Sequence, residues 1–424
     1  AGARTAVIEA FGTLGGAATQ GLVTPFMHTG IAGNPMCSAI SDELNRRAIT
    51  LGFGRADAKG NEGHFDPIAL AYVLEEAVLA AGVQVRLYTQ FCEPVLEEGR
   101  VAGVIAQDKA GRFAILAKCV IDCTGDADVA ARAGVPYDAG DPETGKNQPI
   151  SVRYVVSGID IAAFIEYLRE LSQPGFAYPY ALNPDFFHAA VVWGRDYPLI
   201  ETFRAGVRAG ELTEEDGKYW QCFSVPGRPD SLAFNCPEFF EHVDGANPDD
   251  LTRAQLEAHR AIYRQMAFYR KHFPGFAGAS VSSIAGQVGV RESRRIHGEY
   301  MLTNEDVLSH RKFSDAVARS NYPIDVHGHK LRNQEIVSEE NTAPYYEIPY
   351  RCMVPVGVDG LLVAGRCISS EFVAQSSLRI QPTARALGEA AGIAAAMAVR
   401  DGSEVRAIRG EDVRAEMLRR GARF

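Results

Sequence analysis

Arginine and histidine carry the most explicit chemistry in this sequence. Arg291, Arg294 and Arg295 stand at i, i+3 and i+4. On a helix that spacing puts three guanidinium groups on one face. Arginine is suited to two-pronged binding of a carboxylate. The trio, above all Arg291 and Arg295, is therefore a candidate anchor for an anionic substrate, and Arg351 and Arg379 join it. The competing reading is a solvated basic face paired with Glu292 and Glu299, with structural salt bridges for Arg351 and Arg379. Histidine as a residue type can change its charge near neutral pH, which makes His297 and His327 candidates for proton transfer. Tyr350 is either a proton donor or a core tyrosine.

A second set of residues suits a nucleotide. Ala3 to Glu9 reads as a short strand closed by an acid. In a dinucleotide-binding βαβ unit the second strand ends this way, and the carboxylate accepts hydrogen bonds from a ribose hydroxyl. A solvated strand end is the alternative. Leu14-Gly15-Gly16 follows, where paired glycines let backbone approach a ring or a pyrophosphate. Cys119-Val-Ile-Asp-Cys123 reads as an apolar strand that buries both thiols and runs into Thr124-Gly125-Asp126. Leu361 to Ala364 is a strand ending in Gly365-Arg366. Gln381-Pro382-Thr383 opens a helix of small residues, with proline in the first turn. A helix start beside a strand end is a site for an anion or a dipole. Gly388 and Gly392 are expected to let this helix pack closely on a sheet.

These residues need an α/β scaffold. Asp66-Pro67 starts a helix over 68–81, Gly82 ends it and Val83–Tyr88 is the next strand, as a parallel sheet requires. Residues 91–123 alternate between turns and read as an antiparallel meander. Between 150 and 345 the pattern mixes strands, loops and amphipathic helices such as 251–272. The expected division is a first part of a nucleotide domain over 1–149, an inserted α+β substrate or cap domain over 150–345, a returning part over 346–400 and a C-terminal helix over 401–424.

The totals narrow the function. The 424 residues carry 43 basic and 53 acidic side chains, a net charge of −10, which offers no basic stripe for nucleic acid. No run is long and apolar enough to span a membrane. The cysteines 37, 92, 119, 123, 222, 236, 352 and 367 form no Cys-x-x-Cys, so no metal centre is expected, and their scatter fits a reducing, cytoplasmic setting. There is no His-Glu-x-x-His, no Gly-x-Ser-x-Gly and no Walker loop to support hydrolysis or phosphoryl transfer.

Taken together, Glu9, Leu14-Gly15-Gly16, Thr124-Gly125-Asp126, Leu362 to Ser369, Val290 to Tyr300, Ser320 to His327, Tyr346 to Arg351 and Ser377 to Thr383 resemble the FAD-dependent oxidoreductase family over nearly the whole chain. The resemblance implies a Rossmann-like FAD-binding domain, split by an inserted domain. Glu9 would hold the adenosine ribose, and Gly15 and Gly16 would approach the pyrophosphate or ring. Thr124 and Gly125, with Asp126, would lie beside the adenosine diphosphate portion, and Gly365 and Arg366 would flank the pyrophosphate and ribityl chain. The helix from Gln381 would point at the isoalloxazine carbonyl. The departure from the family is the first strand and its Gly-x-Gly-x-x-Gly loop, which the chain lacks, so the expectation is an incomplete sequence. The expected activity is hydride transfer between a small, anionic organic substrate and flavin, with the electron acceptor open and a homo-oligomer allowed. The alternatives are a flavin-binding module of a larger redox complex, a nicotinamide-dependent dehydrogenase, and a fragment that binds nothing.

Overall fold

The computed structural model describes residues 2–27, 38–56, 63–171, 182–183, 186–192, 199–326 and 345–424. Strand Ala6–Ile8 pairs in parallel with Gln84–Arg86, and the helix Pro67–Ala80 connects them. Its start is set locally. Asp66 accepts from the Ile68 and Ala69 amides at 2.8 and 3.4 Å, and Pro67, which has no amide to satisfy, takes the first position. A second parallel pair joins Val120–Asp122 to Leu361–Val363, strands far apart in sequence. Between these halves lies the antiparallel meander Gln90–Glu97, Arg100–Asp108, Gly111–Leu116.

The largest apolar core gathers on Leu361, Leu362 and Val363, which are fully buried. The long helix Gln381–Asp401 lays Ala386, Leu387, Ala390, Ala391 and Ala394 against it. Gly388 and Gly392 do not make the expected close contact. A methyl group at either would meet nothing within 4 Å. Alanines fill the packed stripe, and both glycines line a cavity of about 630 Å³ with Thr5, Ile40 and Glu43.

A six-stranded antiparallel sheet forms the second body of structure. Its order is Leu182–Asn183, Phe186–Val192, Tyr219–Val225, Arg228–Phe234, Tyr154–Ser157, Ser280–Ile284. One face packs against the helices Ile161–Leu171, Ile200–Arg208 and Pro248–His272 through an aromatic core. Tyr154 stacks on Phe234 with ring centres 4.8 Å apart, and Trp220 donates to the Tyr269 hydroxyl at 2.8 Å. The opposite face carries Val152, Val155, Val225 and Ala233.

Two expectations are corrected here. Arg294–Ile296 is a strand, paired antiparallel with Tyr137–Ala139, and not part of a helix. Successive side chains on a strand point to opposite faces. Arg294 accordingly reaches Asp128 while Arg295 is buried, so the three arginines share no face. The thiols of the Val120–Asp122 segment are not both buried either: Cys119 is half-buried and Cys123 is exposed. Among the described residues this strand has one strand partner.

Candidate functional site

The first strand delivers Glu9 to its end. Glu9 is half-buried, and its Oε1 accepts from the Phe11 amide at 3.0 Å. Burial raises its pKa from the ordinary carboxylate value, against the pull of the Phe11 and Ala10 amides. The chain then turns through Gly15, whose φ of 108° favours glycine. A Cβ there would lie 2.7 Å from the Thr19 side chain and 2.8 Å from that of Leu74, so the turn is also sterically closed to larger residues. Gly16 opens a short helical turn, Gly16–Ala18, and a methyl on it would meet nothing within 4 Å. Leu14 is buried beneath, its carbonyl held by the Thr19 hydroxyl at 2.7 Å.

The end of Val120–Asp122 is tied by Asp122, which is buried. Its carboxylate accepts from the Thr124 amide and hydroxyl at 3.0 and 2.8 Å and from the Val129 and Ala130 amides at 2.9 and 3.0 Å. This shapes the turn through Gly125, over which the Arg366 side chain lies. A Cβ on Gly125 would sit 2.5 Å from Arg366 Nη1, so glycine is what makes room for the arginine. Asp126 accepts from Arg366 Nη2 at 2.7 Å and from the Ser293 hydroxyl at 2.5 Å. Arg366 Nε is buried and has no partner. Gly365, just before it, has open space on its α-carbon.

The helix Gln381–Asp401 begins without a side-chain cap on its first turn. Gln381 donates instead to the carbonyls of Val23 and Pro25 at 2.7 and 3.2 Å, fixing the helix start to the loop after the glycines. Thr383 is fully buried, and its hydroxyl has no partner among the described residues. Buried polar atoms in proteins nearly always have a partner. The unpartnered Thr383 Oγ1 and Arg366 Nε, the open glycines and the uncapped helix start therefore fit an extended polar cofactor laid along these strand ends. Glu9, Gly15, Gly16, Gly125, Gly365, Arg366 and Thr383 are the residues that could hold it. Asp122 was missed in the sequence; an aspartate inside the apolar run Val-Ile-Asp-Cys was its signal.

The arginines separate. Arg291 is buried and pairs with Glu238 at 3.2 Å, with a further bond to the Pro149 carbonyl. Arg379 bonds Asp325 Oδ2 at 3.1 Å and Gln148 at 3.1 Å. Gln148 donates to Gln375 at 2.7 Å, and Gln375 donates to the carbonyls of Arg291 and Arg366 at 3.0 and 3.1 Å. A continuous buried network thus links these two arginines to Arg366. Arg295 is committed elsewhere: its nitrogens bond Glu292 and the carbonyls of Ser370 and Gly140. Arg351 is half-exposed, bound to Asp315 at 2.9 Å and stacked over Tyr300. His297 is partly exposed beside Asp138, and the buried Tyr350 donates to the Val405 carbonyl at 2.9 Å, as a core tyrosine does. His327 lies outside the described residues. The 630 Å³ cavity shares no residue with this network. Among the described residues no cluster of metal ligands occurs and no helix is long and apolar enough to cross a membrane.

Comparison with curated proteins found no match. Among solved structures, the chain is similar to p-nitrophenol 4-monooxygenase from Pseudomonas putida, at 12% identity and a TM-score of 0.39, over 70% of this chain and 64% of that one. It is similar to a flavin-dependent brominase at 12% identity and a TM-score of 0.42, over 98% and 78% of the two chains. The myxobacterial chondrochloren halogenase, an FAD-dependent halogenase, matches at 11% identity and a TM-score of 0.42, over 99% and 74%. Likenesses this slight carry no argument about the site. The family model described as FAD dependent oxidoreductase matches residues 1–417, and with that match the chain belongs to the FAD-dependent oxidoreductase family.

Proposed function

We propose that this flavoenzyme moves a hydride between a small anionic organic substrate and FAD, with the substrate held at the buried arginine network. FAD, when bound, supplies the two-electron chemistry. The protein supplies position and charge. Glu9 would hold the adenosine ribose, Gly15 and Gly16 would let backbone approach the pyrophosphate, and Arg366 would offer its Nε to the cofactor. Leu14 supports the glycine turn from below. Thr124, Gly125 and Asp126 shape the neighbouring turn and hold Arg366. The start of the helix at Gln381, Pro382 and Thr383 presents amide dipoles and one hydroxyl to developing negative charge. Arg291 and Arg379 orient the anion, while Arg295 and Arg351 serve the scaffold.

The observation that carries this reading is the Arg379–Gln148–Gln375–Arg366 chain of hydrogen bonds, which couples the arginine cluster to the cofactor cradle. We place the domain boundaries at 149/150 and 345/346, so that the six-stranded sheet belongs to the substrate side. The described cysteines are all free, which supports a cytoplasmic location. The test is anaerobic mixing with a panel of small organic acids while the visible absorbance of oxidised flavin is followed. Bleaching by an acid and not by its amide is expected; bleaching by neutral compounds alone contradicts the anionic substrate.

A further inference from the structure

One buried cation takes no part in any of these pairings. Arg153 lies between the strands Ile150–Ser151 and Tyr154–Ser157, at the foot of the six-stranded sheet, and is only 8% exposed. Its carbonyl is used, accepting from the Ala285 amide at 2.8 Å. Its guanidinium makes no hydrogen bond and no ion pair with any described residue, although Arg291 and Arg379, which do, are near enough for their charges to act on it. Burial, then the Arg291 and Arg379 charges, push its pKa down to about 10, with Tyr219 and Cys236 opposing, so it is still a cation at neutral pH. A buried guanidinium without a counter-ion is destabilising unless something compensates it.

The charge count around it is specific. Glu238 neutralises Arg291 and Asp325 neutralises Arg379. Among the described residues around it, one positive charge is left without an ion pair, on Arg153. Tyr219 acts on Arg153 electrostatically and lies in a polar group with Asn235 and Gln221, at 2.8 and 2.6 Å from its hydroxyl. We propose that Arg153 is the substrate anchor and that it takes a single carboxylate, so that the substrate is a monocarboxylic acid. This deepens the reading given above and rests on it. A guanidinium fork matches the two oxygens of a carboxylate in one plane. A dianion such as phosphate would bring a second charge, and none of the described arginines acting on Arg153 is left unpaired to answer it.

The test is calorimetric titration of the FAD-loaded protein with acetate, glycolate and benzoate, with benzamide and inorganic phosphate as comparison ligands. It needs no flavin reduction. At least one of the carboxylates is expected to bind, with benzamide and phosphate weaker. Arg153→Met is expected to weaken that carboxylate about 30-fold, as loss of a charged hydrogen-bonded pair does. Arg153→Lys is expected to recover part of the affinity and serves as the readout if Arg153→Met fails to fold. Carboxylate binding unchanged in Arg153→Met, or equally lost in Arg153→Lys and Arg153→Met, overturns the assignment, as does phosphate binding more tightly than every carboxylate or no carboxylate binding at all. Flavin reduced by a substrate that Arg153→Met still binds sinks this inference and leaves the oxidoreductase standing. Carboxylate held by Arg153 in a protein whose flavin no organic acid reduces does the reverse.

Discussion

At the scale of single residues, Glu9 is where cofactor and protonation meet. In the proposed reading FAD would take its carboxylate as an acceptor, while burial raises the pKa from 4.5. FAD affinity should therefore fall as the pH drops through that raised value, beginning above 4.5. Without FAD the sign reverses: a folded pKa above the unfolded one favours folding at low pH, and that contribution is lost as pH rises through the folded value. Glu9→Gln should weaken FAD about 10-fold at neutral pH and flatten the acid dependence, both read by titrating flavin fluorescence. Thr383→Val removes a buried hydroxyl that has no partner. It should leave the melting temperature of the FAD-free protein unchanged or raised, and weaken FAD about five-fold. A loss of stability without FAD, with affinity intact, would mean that the hydroxyl serves the core. Glu9 was legible because an acid closing a β-rich strand is a local pattern. Arg153 was not singled out, though an arginine inside Ile-Ser-Val-Arg-Tyr-Val-Val stands out once the strand is known to be buried. Its lack of a partner is a fact of three dimensions.

At the scale of elements, the helix Pro67–Ala80 depends on Asp66 twice. Asp66 caps the helix and also pairs with Arg228 of the six-stranded sheet, where Nη2 lies 3.2 Å from Oδ1. Asp66→Ala should cost about 2 kcal/mol in urea unfolding, from the lost cap and the unpaired arginine together. Asp66→Asn keeps the cap acceptor and should recover about half of that. Helix starts and turns could be read from sequence because they rest on local rules: the Asp-Pro start, Gly82, and the turns of the meander all fall where expected. The arginine segment could not. The i, i+3, i+4 spacing of Arg291, Arg294 and Arg295 suits a helix, but pairing with Tyr137–Ala139 holds the last two in a strand. That partner lies about 150 residues away in sequence, and tertiary context overrode the local pattern.

At the scale of the whole molecule, the proposed cofactor cradle draws on strand ends from both extremes of the sequence. Glu9 and the glycine turn come from its beginning, and Arg366 and Thr383 from its later part. The six-stranded sheet brings Arg153 from between them. The antiparallel meander and the parallel pairing of strands far apart in sequence were expected from the order of apolar runs. The sheet's own strand order, which threads 154–157 between 228–234 and 280–284, was not. The most direct measurement of the central claim is the flavin content and FAD affinity of the purified protein. The account predicts one FAD per chain, released intact on denaturation, and weaker uptake in Glu9→Gln and Thr383→Val. A folded protein that takes up no FAD, or takes it up equally in both variants, would contradict it.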